Sequence, residues 1–544
     1  MSLPSDHAVR WTRRVGIVYF LGLGALFLLA LVQRAALWQV LSHPHYTNDA
    51  WGYTEAIHRW LGESGFPHHL TREFLYPYLV ALCLKLGDGY RLLGLVQVAL
   101  AAATPFFVMA AWSRLQPFRP AGRAQAIAQL LAGWWLAIVV LFHGGHLLET
   151  ALVGPEIVFI FALAVLLWLL SLMLTAVTPP VRLIAAGFVV YVACALFFIR
   201  PHGLLVAPIC LAVAAWFVWR RVRAATWPRL AAIGLPLVLV VATLVLPYRA
   251  ATRPATPQQA NLFLPLTLIC WHAPVTEPAL EAAAADFDPE RAALIRKAAA
   301  AVEDSYVGGD KDSWRSYNAV WCMYFSPLAD TVAQVFGGDR IAEGRFLDRL
   351  FVKAVLARPV TYARIVWLEF STILRRPIGY ETARLVIDTA PLDGITSDIP
   401  SFERMRPELA RRDDFDTVAS VPLGLGPPIR RLMRSGNDLF IGLLAVALVL
   451  AGLRARHDGL ATAFRPLLPM LPGAFAWVGI SLTCALSHSL IPSRYLDIQV
   501  PATALTEAAA IVAVVANASG RFTALRARRR NRPADPRQLR QGML

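Results

Sequence analysis

One acidic residue stands at the start of a loop that is rich in aromatic side chains. Asp49 follows Asn48 in the sequence Asn48-Asp-Ala-Trp-Gly-Tyr53, shortly after a long apolar run. Partial desolvation among aromatic residues at a membrane surface raises the pKa of an aspartate, which suits a general base. The same pair could instead cap a helix that starts at Ala50, because Asn and Asp are preferred cap residues. On spacing alone, the cap is the favoured interpretation.

A second acidic residue lies where an apolar run begins. Glu156 follows Gly154-Pro155, and proline suits the first turn of a helix, so the carboxylate would lie near the positive end of the helix dipole. Glu156 is either an ordinary acid of a helix terminus or part of a functional site. A third acid, Glu507, falls inside the last apolar run, where we expect a hydrogen bond to a neighbouring helix rather than a transport relay.

Three arginines lie near the ends of apolar runs or in the first loop. Arg200 and Arg494 are on the side of the membrane where the positive-inside bias disfavours arginine. Their side chains could snorkel to lipid headgroups, but a guanidinium fork also matches phosphate oxygens, and we favour phosphate binding. Arg72 is a similar candidate that could equally pair with Glu73 or Glu55.

Other residues argue against a metal site. The Asp-x-Asp pairs lie in charge-rich sequence, where solvated faces are commoner than metal sites: Asp286 with Asp288, Asp310 with Asp312, and Asp414 with Asp416. No Cys or His spacing suggests zinc. We therefore expect no metal. Cys270 and Cys322 would lie in an oxidising compartment where a disulfide can persist, but the sequence leaves open whether they come close enough.

The composition points to a membrane protein. The chain has 544 residues, 57% apolar and 16% charged, with a mean hydropathy of +0.51. Soluble proteins average about 45–50% apolar and about 25% charged residues. The chain is therefore too apolar for a soluble fold, and disordered, collagen-like and coiled-coil proteins are excluded.

Ten apolar runs approach or exceed the length of about 20 residues that a helix needs to cross a bilayer. They are 15–33, 92–113, 124–148, 157–181, 183–199, 201–219, 230–248, 439–453, 466–493 and 496–517. Ile199-Arg200-Pro201 leaves room only for a tight reversal between the fifth and sixth runs. We interpret the first run as a retained helix rather than a signal peptide, because it is long and no small-x-small cleavage site follows it.

The charges indicate the orientation. With a cytoplasmic N-terminus, the cytoplasmic loops and tails carry a net charge of +19 and all other residues carry −3. This asymmetry follows the positive-inside rule, so both termini are predicted to be cytoplasmic. The total of +16 therefore reflects topology, and we expect no nucleic-acid partner.

Four segments follow from this topology. Residues 1–248 form an N-terminal transmembrane module with a first outer loop at 42–90. An extracytoplasmic soluble segment follows at 249–436. The C-terminal transmembrane helices lie at 437–520, and a basic cytoplasmic tail follows at 521–544. Within the soluble segment, residues 345–374 are amphipathic and would lie against the membrane or pack on the bundle.

Several short motifs occur in a consistent order on the predicted outer side. They are Asn48-Asp49-Ala-Trp-Gly-Tyr53, Arg72-Glu73-Phe-Leu-Tyr-Pro77, Gly154-Pro155-Glu156, Arg200-Pro201-His202-Gly203-Leu-Leu, and Ser493-Arg494-Tyr495-Leu with Pro501 after it. Together they resemble the signature of the polytopic GT-C glycosyltransferases, the superfamily of the dolichyl-phosphate-mannose protein mannosyltransferases and the bacterial aminoarabinose transferases.

The resemblance implies an all-α polytopic membrane protein. Its fold would be a GT-C-like bundle of about ten transmembrane helices with a mixed, mainly helical extracytoplasmic segment. It would lie in the bacterial inner membrane with its site facing the periplasm. It would transfer a monosaccharide, with inversion, from a polyprenyl-phosphate donor to a glycan, lipid or protein acceptor. The lipid-linked sugar is a substrate, and no cofactor is expected.

The resemblance also implies roles for individual residues. Asp49 would be the general base, Glu156 would orient the acceptor or the base, and the donor phosphate would be bound by Arg200, Arg494 and Arg72. The substrate-binding residues would be Asn48, Tyr53, Glu73, His488 and Tyr495.

Two other functions fit part of the sequence. A flippase or transporter of lipid-linked glycan would explain the helices and the outer arginines, but it would need neither Asp49 in an aromatic loop nor so large an outer segment. An O-antigen ligase or polymerase also uses outer arginines and a large outer loop, but it takes a pyrophosphate-linked donor.

Overall fold

The structure of the chain is a computed structural model. It describes residues 6–40, 44, 46, 48–63, 67, 70, 72–87, 89–116, 123–221, 226–253, 260–305, 322–323, 326–375, 426–487 and 497–530. The described residues are almost entirely helical and form no β-strand. This part of the chain is thus all-α, as predicted.

Among the described residues, ten helical stretches are long and apolar enough to cross a membrane. They are Gly16–Ala35, Gly89–Leu115, Arg123–Phe142, Glu156–Thr175, Pro179–Ile199, Pro201–Arg220, Thr226–Thr252, Leu439–Arg456, Leu460–Leu486 and Val500–Ser519. Each corresponds to one predicted apolar run, so the predicted number of spans is confirmed. We refer to them below as spans one to ten.

The helices before the long inter-span segment are numbered in chain order: α1 (Asp6–Val40), α2 (Asn48–Trp60), α3 (Leu75–Leu86), α4 (Gly89–Leu115), α5 (Arg123–Phe142), α6 (Gly144–Ala151), α7 (Glu156–Thr175), α8 (Pro179–Ile199), α9 (Val206–Arg221), α10 (Thr226–Val240) and α11 (Leu246–Thr252). The third span is shorter than its apolar run, 124–148, because the chain is extended at His143 and the separate helix α6 then begins.

The remaining helices are α12 (Phe263–Trp271), α13 (Ala273–Ala283), α14 (Pro289–Glu303), α15 (Leu328–Val335), α16 (Arg340–Ala357), α17 (Pro359–Arg375), α18 (Gly426–Asp458), α19 (Leu460–Phe464), α20 (Leu471–Ser487) and α21 (Val500–Arg530). We call residues 260–375, as far as the structure describes them, the inter-span unit. It lies in the chain between the seventh and eighth spans.

The core of the bundle lies around α7. This helix is apolar on all sides, which is typical of a buried helix, and it packs against α4 and α8. The last span, α21, packs against α5, α18 and α20. In contrast, α1 exposes large apolar side chains such as Phe20 and Leu28, as expected for a helix that faces lipid.

The inter-span unit has its own apolar core, and a disulfide joins Cys270 and Cys322 with 5.7 Å between their Cα atoms. The unit contacts the bundle through α17, which packs on α20, and the Tyr362 hydroxyl donates a hydrogen bond to the Leu486 carbonyl, 3.3 Å away. The amphipathic segment predicted at 345–374 therefore packs on the bundle.

Candidate functional site

Alternation of the spans places the candidate residues on one side. If every span crosses the membrane, the loops after the first, third, fifth, seventh and ninth spans share a side. Tyr53, Arg72 and Glu73 follow the first span, Glu156 follows the third, and Arg200 follows the fifth. The packing brings these five residues together, and we call them the loop cluster.

Arg72 lies against helix α2. Its guanidinium carbon is 5.4 Å from the centre of the Tyr53 ring and 4.0 Å from the centre of the Phe263 ring. Gly52 makes this approach possible, because a Cβ atom at residue 52 would lie 2.9 Å from Arg72 Nε. Arg72 therefore contacts aromatic rings from two parts of the chain, the first loop and the inter-span unit.

Asp49 lies in the first turn of α2. This helix begins at Asn48, so Asn48 and Asp49 are inside the helix rather than before a helix that starts at Ala50. Gly52 and Tyr53 come three and four residues after Asp49, which in an α-helix corresponds to the same face one turn later. The backbone of Asp49 therefore lies on the face of α2 that contacts Arg72.

Glu156 and Arg200 form a buried ion pair. The Nη1 group of Arg200 donates a hydrogen bond to Oε1 of Glu156, and each residue is only 4% exposed. Glu156 is the first residue of α7 after Pro155, as the sequence predicted. The guanidinium predicted to bind phosphate and the acid predicted to orient the acceptor or the base are therefore direct partners.

A tight reversal holds Arg200 in place. Helix α8 ends at Ile199, Arg200 is extended, and Pro201–Gly203 form a single 3-10 turn before α9. Gly203 is required here because a Cβ atom would lie 2.6 Å from backbone atoms of Leu196 and Phe197. The Arg-Pro-x-Gly sequence thus has a structural explanation, and the predicted reversal is confirmed.

Charge links the members of the loop cluster. Burial raises the pKa of Glu73, while Arg72 and Arg200 lower it to a smaller extent. Burial also raises the pKa of Tyr53, on which Arg200, Glu73, Arg72 and Glu156 act electrostatically. The basic residues Arg72 and Arg200 and the acidic residues Glu73 and Glu156, which come from three separate motifs, therefore share one electrostatic environment.

A second group, absent from the predicted site residues, adjoins the loop cluster. Asp497 is fully buried, and its Oδ1 lies 3.8 Å from His143 Nε2. The Asp497 carbonyl is 3.0 Å from His146 Nε2. Burial raises the pKa of Asp497 well above its usual value, and the Glu156 carboxylate adds to the shift.

The sequence did contain a signal for Asp497. It is an acidic residue between two spans, three residues after Arg494, and a charge in that place is a functional-site candidate.

His146, which contacts the Asp497 carbonyl, has a lowered pKa. Burial is the main cause and the neighbouring His143 adds a smaller effect, so that the pKa is about 3 and the imidazole is neutral in the folded protein.

Three predicted site residues, His488, Arg494 and Tyr495, lie outside the described residues. The side chains of Asn48 and Asp49 lie outside them as well.

Glu507 accepts a hydrogen bond from Trp135 Nε1 at 2.9 Å, which confirms the predicted bond to a neighbouring helix. Within the described ranges, no group of three or more His, Cys, Asp and Glu side chains could hold a metal ion.

The fold and the spans define the chain as a polytopic helical membrane protein. Comparison of the chain with protein-family models, with curated proteins and with solved structures finds no match.

Proposed function

We propose that the protein is an integral-membrane glycosyltransferase that moves a monosaccharide from a polyprenyl phosphate to an acceptor hydroxyl. The observation that carries the proposal is the loop cluster, in which Arg72 lies on the face of α2 that begins with Asp49, and Arg200 is held at the end of α8. In such a site, the acid at the start of α2 would act as the base and the two arginines would bind the phosphate.

The reaction would be a single displacement. The acceptor hydroxyl oxygen attacks the anomeric carbon and gives its proton to Asp49. The bond from that carbon to the phosphate oxygen breaks, and polyprenyl phosphate leaves with the bonding electrons. Arg200 and Arg72 stabilise the negative charge that grows on the phosphate, and the anomeric configuration inverts.

The ion pair suggests how Arg200 would be kept ready for the donor. A guanidinium group has five N–H donors in a planar fork, and Nη1 engages Glu156. The carboxylate fixes the guanidinium plane and offsets its charge in a buried place. Glu156 would then act by positioning Arg200, which differs from the role that the resemblance implied, namely orienting the acceptor or the base.

Transfer by the purified protein tests the proposal. The protein in detergent is mixed with a polyprenyl-phosphate sugar labelled in the sugar, and with lipid, glycan and protein fractions of a cell envelope as acceptors. We expect label in one fraction together with an equal amount of free polyprenyl phosphate, without any ion gradient. Movement of the intact lipid-linked sugar across the bilayer of proteoliposomes that contain the protein, or transfer only from a pyrophosphate-linked donor, would replace the proposal by one of the two alternatives.

A further inference from the structure

A cavity of about 730 Å³ lies in the inter-span unit, apart from the loop cluster. Residues from α13 and α16 line it, together with the turns that follow α13 and α15. None of its lining residues is among the predicted site residues, although Asp286 belongs to one of the Asp-x-Asp pairs and several others belong to the amphipathic segment 345–374.

One wall of the cavity is basic. Arg345, Arg349 and Lys353 follow one another at intervals of four residues, which places them on the same face of α16, and Arg358 continues the wall just beyond the helix. Asp286 is the acidic lining residue, and its Oδ2 lies 3.8 Å from Lys353 Nζ. The cavity thus has a local charge of +3, although the non-cytoplasmic part of the sequence was predicted to carry −3 in total.

The remaining lining residues form an apolar wall. Phe287, Phe336 and Phe346 form a cluster of rings whose centres are 5.3–6.2 Å apart, and Leu350 adjoins them in the lining. A ligand that fits both walls carries an anionic group joined to an apolar body.

The end of the cavity next to α17 lies near the membrane end of the inter-span unit. Arg358 separates α16 from α17, and α17 is held at the end of the ninth span by the hydrogen bond from Tyr362 to Leu486. Leu356 and Val360, on either side of Arg358, are 74% and 80% exposed. Exposed apolar residues beside a basic cavity at the end of a span suit a molecule that enters from the lipid phase.

We propose that this cavity binds the phosphate headgroup of an anionic membrane lipid. The guanidinium groups of Arg345 and Arg349 bind the phosphate oxygens, since their planar forks match that geometry better than an ammonium group does. The apolar part of the lipid then contacts the phenylalanine wall and the exposed side chains of Leu356 and Val360. The proposal does not depend on the glycosyltransferase activity.

The test measures lipid binding by the full-length protein in detergent. Phosphatidylglycerol is titrated against phosphatidylcholine, with binding followed by native mass spectrometry and by the unfolding temperature. Inorganic phosphate is titrated in a separate arm. We expect phosphatidylglycerol to bind more tightly than phosphatidylcholine, by about tenfold or more, and to raise the unfolding temperature.

Charge reversal locates the site. The variant Arg345→Glu/Arg349→Glu should lose the preference for phosphatidylglycerol, by about tenfold in affinity. Arg296→Glu/Lys297→Glu makes the same change of charge on α14, outside the cavity, and should keep it. A native unfolding temperature without lipid shows that each variant folds.

Three results would overturn the proposal. The wild-type protein could bind both lipids equally, or both charge-reversal variants could lose the preference equally, which would indicate a general effect of surface charge. Inorganic phosphate could also reproduce the whole effect while phosphatidylglycerol adds nothing to it, which would indicate a site for a free anion rather than a lipid.

Discussion

The carboxylate of Glu156 accepts a hydrogen bond from Nη1 of Arg200, and both side chains are buried at the junction of four helices, α7, α8, α9 and α20. Each charge depends on the other, because a buried charge without a partner is costly. The pair therefore ties the start of the fourth span to the reversal between the fifth and sixth spans.

Removing one partner of this pair should destabilise the fold more than removing both. Glu156→Gln or Arg200→Met alone should each cost about 3–5 kcal/mol, because one charge stays buried without its partner. The double variant should cost less than either single variant, because it leaves no unpaired charge buried. Thermal unfolding in detergent, followed with a dye that reacts with the buried thiols as they become exposed, measures the difference. Additive effects would mean that the ion pair contributes nothing specific.

The sequence predicted the spans because the required property, a long apolar run, is local. It also predicted the helix start at Glu156 and the reversal at Arg200, since proline and glycine act on the nearest turns. It could not predict that Glu156 pairs with Arg200, because this contact depends on how α7 packs on α8. The contact between Arg72 and Phe263 likewise depends on the packing of the inter-span unit against the first loop.

The close approach of the Arg72 side chain to α2 should depend on the absence of a side chain at Gly52. Gly52→Ala would place a Cβ atom 2.9 Å from Arg72 Nε and displace the guanidinium from the Tyr53 ring. If the protein is a transferase, we expect a roughly ten- to a hundredfold loss of kcat/KM, as a shift of about 1 Å in a positioning group can produce.

The matched control for this change is Gly24→Ala, because a Cβ atom at residue 24 would have no neighbour within 4 Å. This variant should keep full activity. Normal activity of Gly52→Ala, with a normal unfolding temperature, would show that the contact of Arg72 with α2 is not needed.

The disulfide between Cys270 and Cys322 should be detectable by counting reactive thiols. The four remaining cysteines are free: Cys83, Cys194, Cys210 and Cys484. After denaturation, a maleimide that increases the mass should label four cysteines without a reductant and six with one. Because the bridge closes a long loop, its reduction should lower stability by about 2–4 kcal/mol. Six labelled cysteines without reduction would contradict the assignment.

Histidine 58 should make the fold sensitive to acid. Burial lowers the pKa of His58 to about 4, and its Nε2 lies 2.9 Å from the Tyr90 hydroxyl. In the unfolded chain, His58 takes up a proton near pH 6.5, whereas in the folded protein it stays neutral at that pH. The free energy of unfolding therefore falls as the pH is lowered from about 6.5 towards 4. Between pH 7 and pH 5 this histidine alone should cost about 2 kcal/mol.

The comparison of His58→Gln with the wild-type protein isolates this effect. All other groups titrate alike in the variant and in the wild-type protein, so the comparison cancels their contribution. As the pH is lowered from 7 to 5, the difference between the two unfolding temperatures should therefore shrink or reverse in favour of the variant. A difference that stays constant across this range would show that His58 titrates alike in the folded and unfolded states.

The proposed activity depends on Asp49 more than on any other residue. The direct measurement is the rate of sugar transfer from a polyprenyl-phosphate donor by purified Asp49→Asn, beside the wild-type protein and beside Asp288→Asn. The control residue is an acid that caps α14 in the inter-span unit. We expect Asp49→Asn to keep the unfolding temperature of the wild-type protein and to lose transfer by at least about a hundredfold, in line with the contribution of a general base. Transfer by Asp49→Asn at the rate of the wild-type protein would contradict the role of Asp49 as the base.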